Sequence, residues 1–193
     1  MHDAARATFI AVTLFASVFY GVTSCSAVEL DRELLQHTES GAPKDRYTAC
    51  LLLAEIPISD LTLNLIKSRV AEESDKPVQL CLYYVLARRT QEGRYKDRFI
   101  AAYPSGEEQK DLWSRHETAG NPIGVEPPPE TYLGDLASQS REAMVKLVSG
   151  LNFADGAHAE SLSDLVGNLY RASPAKVESA AQAAGVNIST IRK

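Results

Sequence analysis

Apolar residues recur at helical spacing through most of the chain after residue 27. Within residues 59–73, Leu61, Leu65, Ile66 and Val70 fall on one stripe, as they do in an amphipathic helix. Residues 45–55 are apolar almost all round, which predicts a helix that is buried on every side. No segment alternates apolar and polar residues as a half-buried strand does. The pattern therefore predicts an all-α fold.

Proline, glycine and serine residues divide this pattern into short segments. Ser59 is predicted as an N-cap and Gly150 as a residue that ends a helix at the C′ position, and Pro174 and Gly185 are predicted to begin and end the last helix. A helical turn is predicted at residues 28–37, and helices are predicted at residues 45–55, 59–73, 77–89, 95–103, 130–149, 161–172 and 174–184, with one more opening at residues 105–108. Seven or eight helices joined by short loops are typical of an irregular helical bundle or of stacked α-hairpins. Residues 59–67 and 163–171 share a pattern, so a solenoid-like stack of duplicated hairpins is a further possibility.

One longer segment without helical periodicity interrupts this pattern. Residues 119–129 (AGNPIGVEPPP) are too rich in proline and glycine for a helix and predict an extended linker. This linker separates a helical lobe at residues 45–118 from a second lobe at residues 130–193, and residues 25–44 form an N-terminal tether with a short helix. Because 193 residues are the size of one domain, the two lobes are expected to pack as a single domain.

Composition and charge exclude two classes of protein. Hydrophobic residues make up 45% of the chain and charged residues 23%, which is typical of a globular protein and excludes global disorder. The net charge is −5, whereas nucleic-acid binding relies on clustered Lys and Arg. No nucleic-acid partner is therefore expected, and an acidic surface either suits a basic partner or simply keeps the protein in solution.

The first 24 residues have the organisation of a signal peptide. Arg6 precedes residues 7–28, which carry no charge, and the strongly apolar centre spans residues 9–22. This centre has the length of a signal-peptide core and is short for a membrane span. Residues 1–24 are therefore predicted to direct export, and an uncleaved membrane anchor is one alternative.

The leader ends in Val22-Thr23-Ser24-Cys25, which resembles the lipobox of bacterial lipoproteins: an aliphatic residue, a small residue, Gly, Ala or Ser, and then cysteine. The resemblance is limited to the first 25 residues. It implies that the Cys25 thiol is acylated and that cleavage falls just before it. The mature protein would then be held by lipid on a membrane of the cell envelope, on its periplasmic or outer side. Ordinary cleavage after Ala27, which would give a soluble periplasmic or secreted protein, is the other alternative.

Removal of the leader leaves Cys50 and Cys81 as a pair of thiols. In an oxidising compartment two such thiols tend to form a disulfide. Closing a loop of about 31 residues in this way would stabilise the fold by roughly 3–4 kcal/mol. The alternative is that both cysteines stay reduced and act as small buried apolar side chains.

The sequence carries none of the common short motifs for metals, nucleotides or activated nucleophiles. No HExxH, CxxC, GxSxG, GxGxxG or GxxxxGK pattern occurs. His37, His116 and His158 have no metal-ligand neighbours in sequence, so each is expected on the surface or in a satisfied, partly buried position. No catalytic residue, metal or cofactor is predicted, although a carboxylate pair of the glycosidase kind needs no sequence motif.

Residues 88–98 (RRTQEGRYKDR) form a basic segment. Arg88, Arg89, Arg94, Lys96 and Arg98 outnumber the two acids among them. Such a patch suits anionic lipid headgroups or an acidic partner. The alternative is a solvated helix face that has no partner.

These observations favour an exported, lipid-anchored helical domain of the bacterial envelope that binds another protein. An inhibitor or immunity-like protein is a specific form of this hypothesis. Whether the domain is also an enzyme stays open, with a binding role favoured. The alternatives are a cell-wall hydrolase that uses a carboxylate pair and a soluble periplasmic or secreted helical protein.

Overall fold

The computed structural model of the protein describes residues 25–90, 92–119, 127–187 and 189. Within these residues the chain forms ten α-helices, one 3₁₀ turn and no strand, which confirms the predicted all-α class and exceeds the predicted count of seven or eight helices. The helices are α1 (Cys25–His37), α2 (Pro43–Glu55), α3 (Asp60–Arg69), α4 (Lys76–Thr90), α5 (Gly93–Ala102), α6 (Glu108–Thr118), α7 (Pro128–Ala137), α8 (Arg141–Ser149), α9 (Gly156–Ala172) and α10 (Pro174–Ala184).

α4 is the central helix of the fold. It packs against α2, α3, α5, α6 and α7, and eight of its side chains are buried. Its sequence, KPVQLCLYYVLARRT, is apolar on nearly every face, so only a position inside the protein can remove that surface from water. Each fully buried leucine or valine contributes roughly 1.5–3 kcal/mol to folding.

The C-terminal helices pack around α8, which contacts α7, α9 and α10. Aromatic rings join them to the N-terminal helices: the ring centroid of Tyr132 lies 5.5 Å from that of Tyr84 and 5.3 Å from that of Phe99. One cluster of buried apolar side chains therefore includes helices on both sides of residues 120–126. Those seven residues lie outside the described part of the chain, so the division into lobes at residues 119–129 stays a prediction.

The segment predicted as one helix at residues 130–149 is two helices, α7 and α8. Ser140 adopts extended backbone angles, and its hydroxyl accepts a hydrogen bond of 3.2 Å from the Ala143 N–H. Serine is tolerated inside a helix and favoured as an N-cap, so periodicity alone did not reveal the break. Gly150, predicted as a left-handed helix end, is right-handed with φ −56° and begins the 3₁₀ turn Gly150–Asn152.

The two segments with a shared sequence pattern occupy different places in their helices. Ser59 is the N-cap of α3, where its hydroxyl accepts the Thr62 N–H at 3.2 Å. Ser163 lies inside α9. The shared pattern therefore begins at the start of α3 but inside α9, and a duplicated hairpin stays a prediction. The predicted start and stop of the last helix are both confirmed, with Pro174 in its first turn and Gly185 left-handed at φ 67°.

α1 and α3 lie side by side and run in the same direction. The buried Asp31 carboxylate of α1 accepts hydrogen bonds of 2.9 Å from the Ser59 N–H and from the Thr62 hydroxyl, at the start of α3. At the other end of α3, Arg69 donates to the Leu35 carbonyl oxygen at 3.3 Å and to the Glu39 carboxylate at 2.6 Å. Residues near the carboxyl end of α1 thus contact the carboxyl end of α3, so the amino ends of the two helices lie at the same end of this helix pair.

The free energy of unfolding is expected to fall less steeply with decreasing pH when Asp31 is replaced by asparagine. Burial disfavours the charged Asp31 carboxylate, but its hydrogen bonds with Ser59 and Thr62 outweigh that cost and hold its pKa below the usual value. A carboxylate of this kind stabilises the fold above the unfolded pKa of about 3.9, and the contribution is lost as pH falls through the lower folded pKa.

Urea unfolding between about pH 2 and pH 7 measures this effect. Asp31→Asn should be less stable than wild type by on the order of 1 kcal/mol at neutral pH, with the gap closing in acid. The exposed Asp60→Asn is a matched control at the same helix end. A constant gap across the pH range would contradict the role given to Asp31.

Candidate functional site

A groove of about 910 Å³ lies between the amino end of α4, the carboxyl end of α5 and one side of α6. Its apolar part is formed by the buried residues Leu80, Tyr103 and Leu112. Charged side chains surround this apolar surface. A large concave site that combines apolar lining with a few polar groups is the usual form of a binding site.

Lys146 of α8 closes one end of the groove. Its Nζ donates to the carbonyl oxygens of Ile100, Ala101 and Tyr103 at 2.7, 2.8 and 2.7 Å. Burial lowers the pKa of Lys146, and Glu142, 3.7 Å away, opposes that shift. Because an ammonium group has three N–H bonds, these carbonyls occupy all of them. Lys146 therefore fixes the end of α5 and has no donor left for a ligand.

Asp75 and Arg115 form an ion pair across the groove. Arg115 Nη2 lies 3.2 Å from Asp75 Oδ2, and Asp75 Oδ1 accepts the Val78 N–H at 3.1 Å in the first turn of α4. Both charges are thus committed to contacts inside the protein. The pair joins α6 to the amino end of α4 and sets the width of the groove at this point.

Glu108 and Asp111, in the first turn of α6, are exposed on the groove wall. Neither carboxylate has an ion-pair partner within residues 25–90, 92–119 and 127–187, and the same holds for the exposed Lys76 opposite. The amino end of α6 stabilises nearby negative charge through the helix dipole. Among these exposed, unpaired side chains the two acids outnumber the one base, and with Asp75, Arg115 and Lys146 included the charged lining is neutral overall.

Some basic residues of the segment at residues 88–98, which was predicted as a partner patch, make contacts within the protein. Arg88 contacts Glu55 Oε1 at 2.9 Å and the Tyr84 hydroxyl at 2.7 Å. Arg89 donates to the carbonyl oxygens of Ala54 and Ile56 at 2.6 and 2.5 Å, so its guanidinium caps the end of α2. Burial raises the pKa of Tyr84 to about 12, although Arg88 opposes the shift.

The remaining basic residues of this segment lie on α5. Arg94 pairs with Glu92 at 2.7 Å and covers the Tyr95 ring at 4.7 Å from its centroid. Lys96 is half-buried and Arg98 is exposed. Anion or partner binding by this patch stays a prediction, with Lys96 and Arg98 as the members that form no ion pair among the described residues.

Cys50 of α2 and Cys81 of α4 are brought together in the core. Both are buried and carry free thiols in this structure. Burial raises the pKa of the Cys50 thiol well above its usual value, and a hydrogen bond with Cys81 adds to the shift. Disulfide formation between them stays a prediction.

In the exported protein we expect Cys50 and Cys81 to be oxidised to a disulfide. After denaturation without reductant, neither cysteine should then react with an alkylating reagent, as read by peptide mass spectrometry. Reduction should lower the free energy of unfolding by roughly 3–4 kcal/mol. A Cys50→Ala/Cys81→Ala variant should be unaffected by reductant. Two alkylatable thiols in the unreduced protein would contradict the prediction.

A buried polar cluster behind the groove was not predicted from the sequence. Glu130 and His158 are each 3% exposed, and His158 Nε2 lies 2.9 Å from Glu130 Oε2. The Tyr103 hydroxyl donates to the same carboxylate oxygen at 3.3 Å. The Trp113 ring stacks on the His158 ring, with centroids 4.4 Å apart and planes 9° apart. This cluster links α5, α6, α7 and α9, and its burial gives it a structural role.

The three histidines outside the leader lie in different environments. His158 is paired as described, His37 is exposed, and burial lowers the pKa of His116 to about 4, so His116 is neutral near pH 7. Within the described residues no group of three or more His, Cys, Asp or Glu side chains is arranged to hold a metal ion.

Comparisons with protein families, with characterised proteins and with solved structures find no match to this chain. Among the described residues, no helix combines the length and the apolar character needed to cross a membrane. The predicted signal peptide, residues 1–24, lies outside the described residues. Cys25 is the first residue of α1, and its lipidation stays a prediction.

Proposed function

We propose that this protein is an exported, lipid-anchored domain of the bacterial cell envelope that binds a basic segment of a protein partner in the groove between α4, α5 and α6. The exposed, unpaired carboxylates of Glu108 and Asp111 on the groove wall carry this proposal. The lipobox-like Val22-Thr23-Ser24-Cys25 supports the anchored location. An inhibitor or immunity-like protein that blocks a basic envelope enzyme is the specific form we favour.

The groove is suited to polypeptide by its size and its chemistry. A volume of about 910 Å³ that is lined by both polar and apolar side chains accommodates several side chains of a segment. The ion pair of Asp75 with Arg115 and the hydrogen bonds of Lys146 hold the walls of the groove without a bound partner. Complementary charge then steers a basic segment toward Glu108 and Asp111 and gives specificity.

Crosslinking in living cells tests this proposal. A photo-crosslinking residue is placed at Ser114, which is exposed in the groove. We expect a crosslinked product that is weakened by high salt and lost in Glu108→Gln/Asp111→Asn. Glu117→Gln removes an exposed carboxylate from the same helix outside the groove and should leave the product unchanged. Equal crosslinking in all variants would overturn the assignment of the groove.

A cell-wall hydrolase is the second candidate, because Glu108 and Asp111 are two carboxylates one helical turn apart in the same groove. Turnover of peptidoglycan fragments by the purified protein distinguishes the two candidates. Activity that is lost in Glu108→Gln or Asp111→Asn would replace the binding proposal with the hydrolase. Partner crosslinking together with no turnover by the wild type supports binding.

A further inference from the structure

α3 presents an exposed apolar face. Leu61 is 61% exposed and Leu65 is 44% exposed, and these are the large hydrophobic side chains left open to solvent among the described residues. They lie four residues apart and therefore share one side of the helix. The rest of the helix is anchored by Ile66, which is buried in the core. This face is available for contact with something outside the domain.

The position of this face relative to α1 indicates what it contacts. Because α1 and α3 are parallel and the start of α3 bonds to Asp31, Leu61 lies near the level of Asp31 along α1. Cys25 is six residues earlier in the same helix, a rise of roughly 9 Å. Side chains on a helix tilt toward its amino end, which brings the Leu61 side chain closer still to the level of Cys25.

We propose that the Leu61–Leu65 face of α3 lies against the surface of the bilayer that anchors the protein, with Leu61 at the level of the lipid headgroup and acyl boundary. This inference rests on the proposed anchoring at Cys25. The lipid attached at Cys25 puts the membrane at the amino end of α1. The face would then fix the orientation of the domain on the membrane.

The contact is with uncharged or zwitterionic lipid. The cations of α3 are committed within the fold, because Lys67 lies 3.7 Å from Glu92 and Arg69 lies 2.6 Å from Glu39. Asp60, beside Leu61, is exposed and acidic. An anionic surface would therefore gain no cation from α3, and a contact made through Leu61 and Leu65 should be insensitive to salt, unlike binding through basic residues.

Tryptophan fluorescence of the full lipidated protein in phosphatidylcholine vesicles tests the inference. A Leu61→Trp variant is compared with the wild type, whose single tryptophan is Trp113, and with Glu117→Trp, an exposed position on α6. In vesicles with brominated acyl chains, we expect the added emission of Leu61→Trp to shift to shorter wavelength and to be quenched, at low and high salt alike. Glu117→Trp should show neither change.

The other outcomes separate this inference from the proposed function. Protein that floats with the vesicles while Leu61→Trp stays unquenched would overturn the membrane face and leave the anchor intact. A blue shift that depends on protein concentration and occurs without quenching would assign the face to a second copy instead. Protein from the native membrane that does not float with vesicles at all would overturn both the anchor and the inference.

Discussion

Replacing His158 by alanine is expected to lower the free energy of unfolding by about 3–5 kcal/mol. The Glu130 carboxylate is almost fully buried and depends on His158, 2.9 Å away, and on the Tyr103 hydroxyl. Removing the imidazole leaves that carboxylate without its closer partner and also removes the ring that stacks on Trp113. Urea unfolding near pH 7, followed by circular dichroism, measures the loss.

Two further variants separate the lost hydrogen bond from the lost ring. His158→Phe keeps an aromatic ring against Trp113 but offers Glu130 no donor, so it should be nearly as unstable as His158→Ala. Glu130→Leu/His158→Phe replaces both partners by apolar groups and should recover much of the loss, since a buried pair gains little over apolar packing. A stable His158→Phe single variant would show that ring stacking, and not the pair with Glu130, holds this cluster together.

Replacing Gly150 by alanine is expected to destabilise the protein by about 1–3 kcal/mol, the usual cost of overpacking. A Cβ at this position would lie 2.3 Å from Gln109 Oε1 and 2.7 Å from a methyl carbon of Leu162. Gln109 has little freedom to move away. Its Nε2 donates to the carbonyl oxygens of Pro104 and Lys146 at 2.9 and 3.0 Å, which uses both of its N–H bonds, and the Ser149 hydroxyl oxygen lies 3.3 Å from the same nitrogen.

Gly167→Ala is the matched control for Gly150→Ala. Gly167 lies inside α9, and the nearest atom to an added Cβ is Arg171 Nη1 at 3.8 Å, an ordinary contact. Alanine is favoured over glycine in a helix by roughly 0.5–1 kcal/mol, so this variant should be slightly more stable than wild type. The melting temperatures of both variants should therefore move in opposite directions. A shift of the same sign in both would contradict the close packing assigned to Gly150.

The ends of helices could be predicted from local sequence where a residue type strongly favours one position at a helix start or stop. Pro174 and Gly185 bound α10 because proline fits a first helical turn and glycine tolerates a left-handed backbone. Ser59 was correctly predicted as an N-cap for the same reason. Ser140 was missed because serine in an amphipathic pattern is compatible with a helix interior. Gly150 was misread because its role is close packing against Gln109, 41 residues earlier in the sequence, and not a left-handed helix end.

The site was less predictable than the fold because its geometry depends on distant residues. Glu108 and Asp111 are left unpaired because Arg115 pairs with Asp75, 40 residues away, and not with either of them. The sequence instead predicted a binding patch at residues 88–98, where basic side chains are close together in the chain. The structure uses Arg88 and Arg89 of that segment to hold α2 and α4 together. The spacing of charged residues along the chain does not show which of them form ion pairs in the folded protein and which stay unpaired.

The central claim is that Cys25 carries the lipid that holds this domain on the cell envelope. Intact-mass analysis and membrane fractionation of the native protein, beside Cys25→Ala, test it most directly. We expect the wild type to begin at Cys25, to carry acyl mass and to sediment with membranes, and we expect Cys25→Ala to carry no acyl mass and not to be cleaved before residue 25. If both proteins are soluble and begin at Val28, the lipobox resemblance is accidental and the anchored location is wrong.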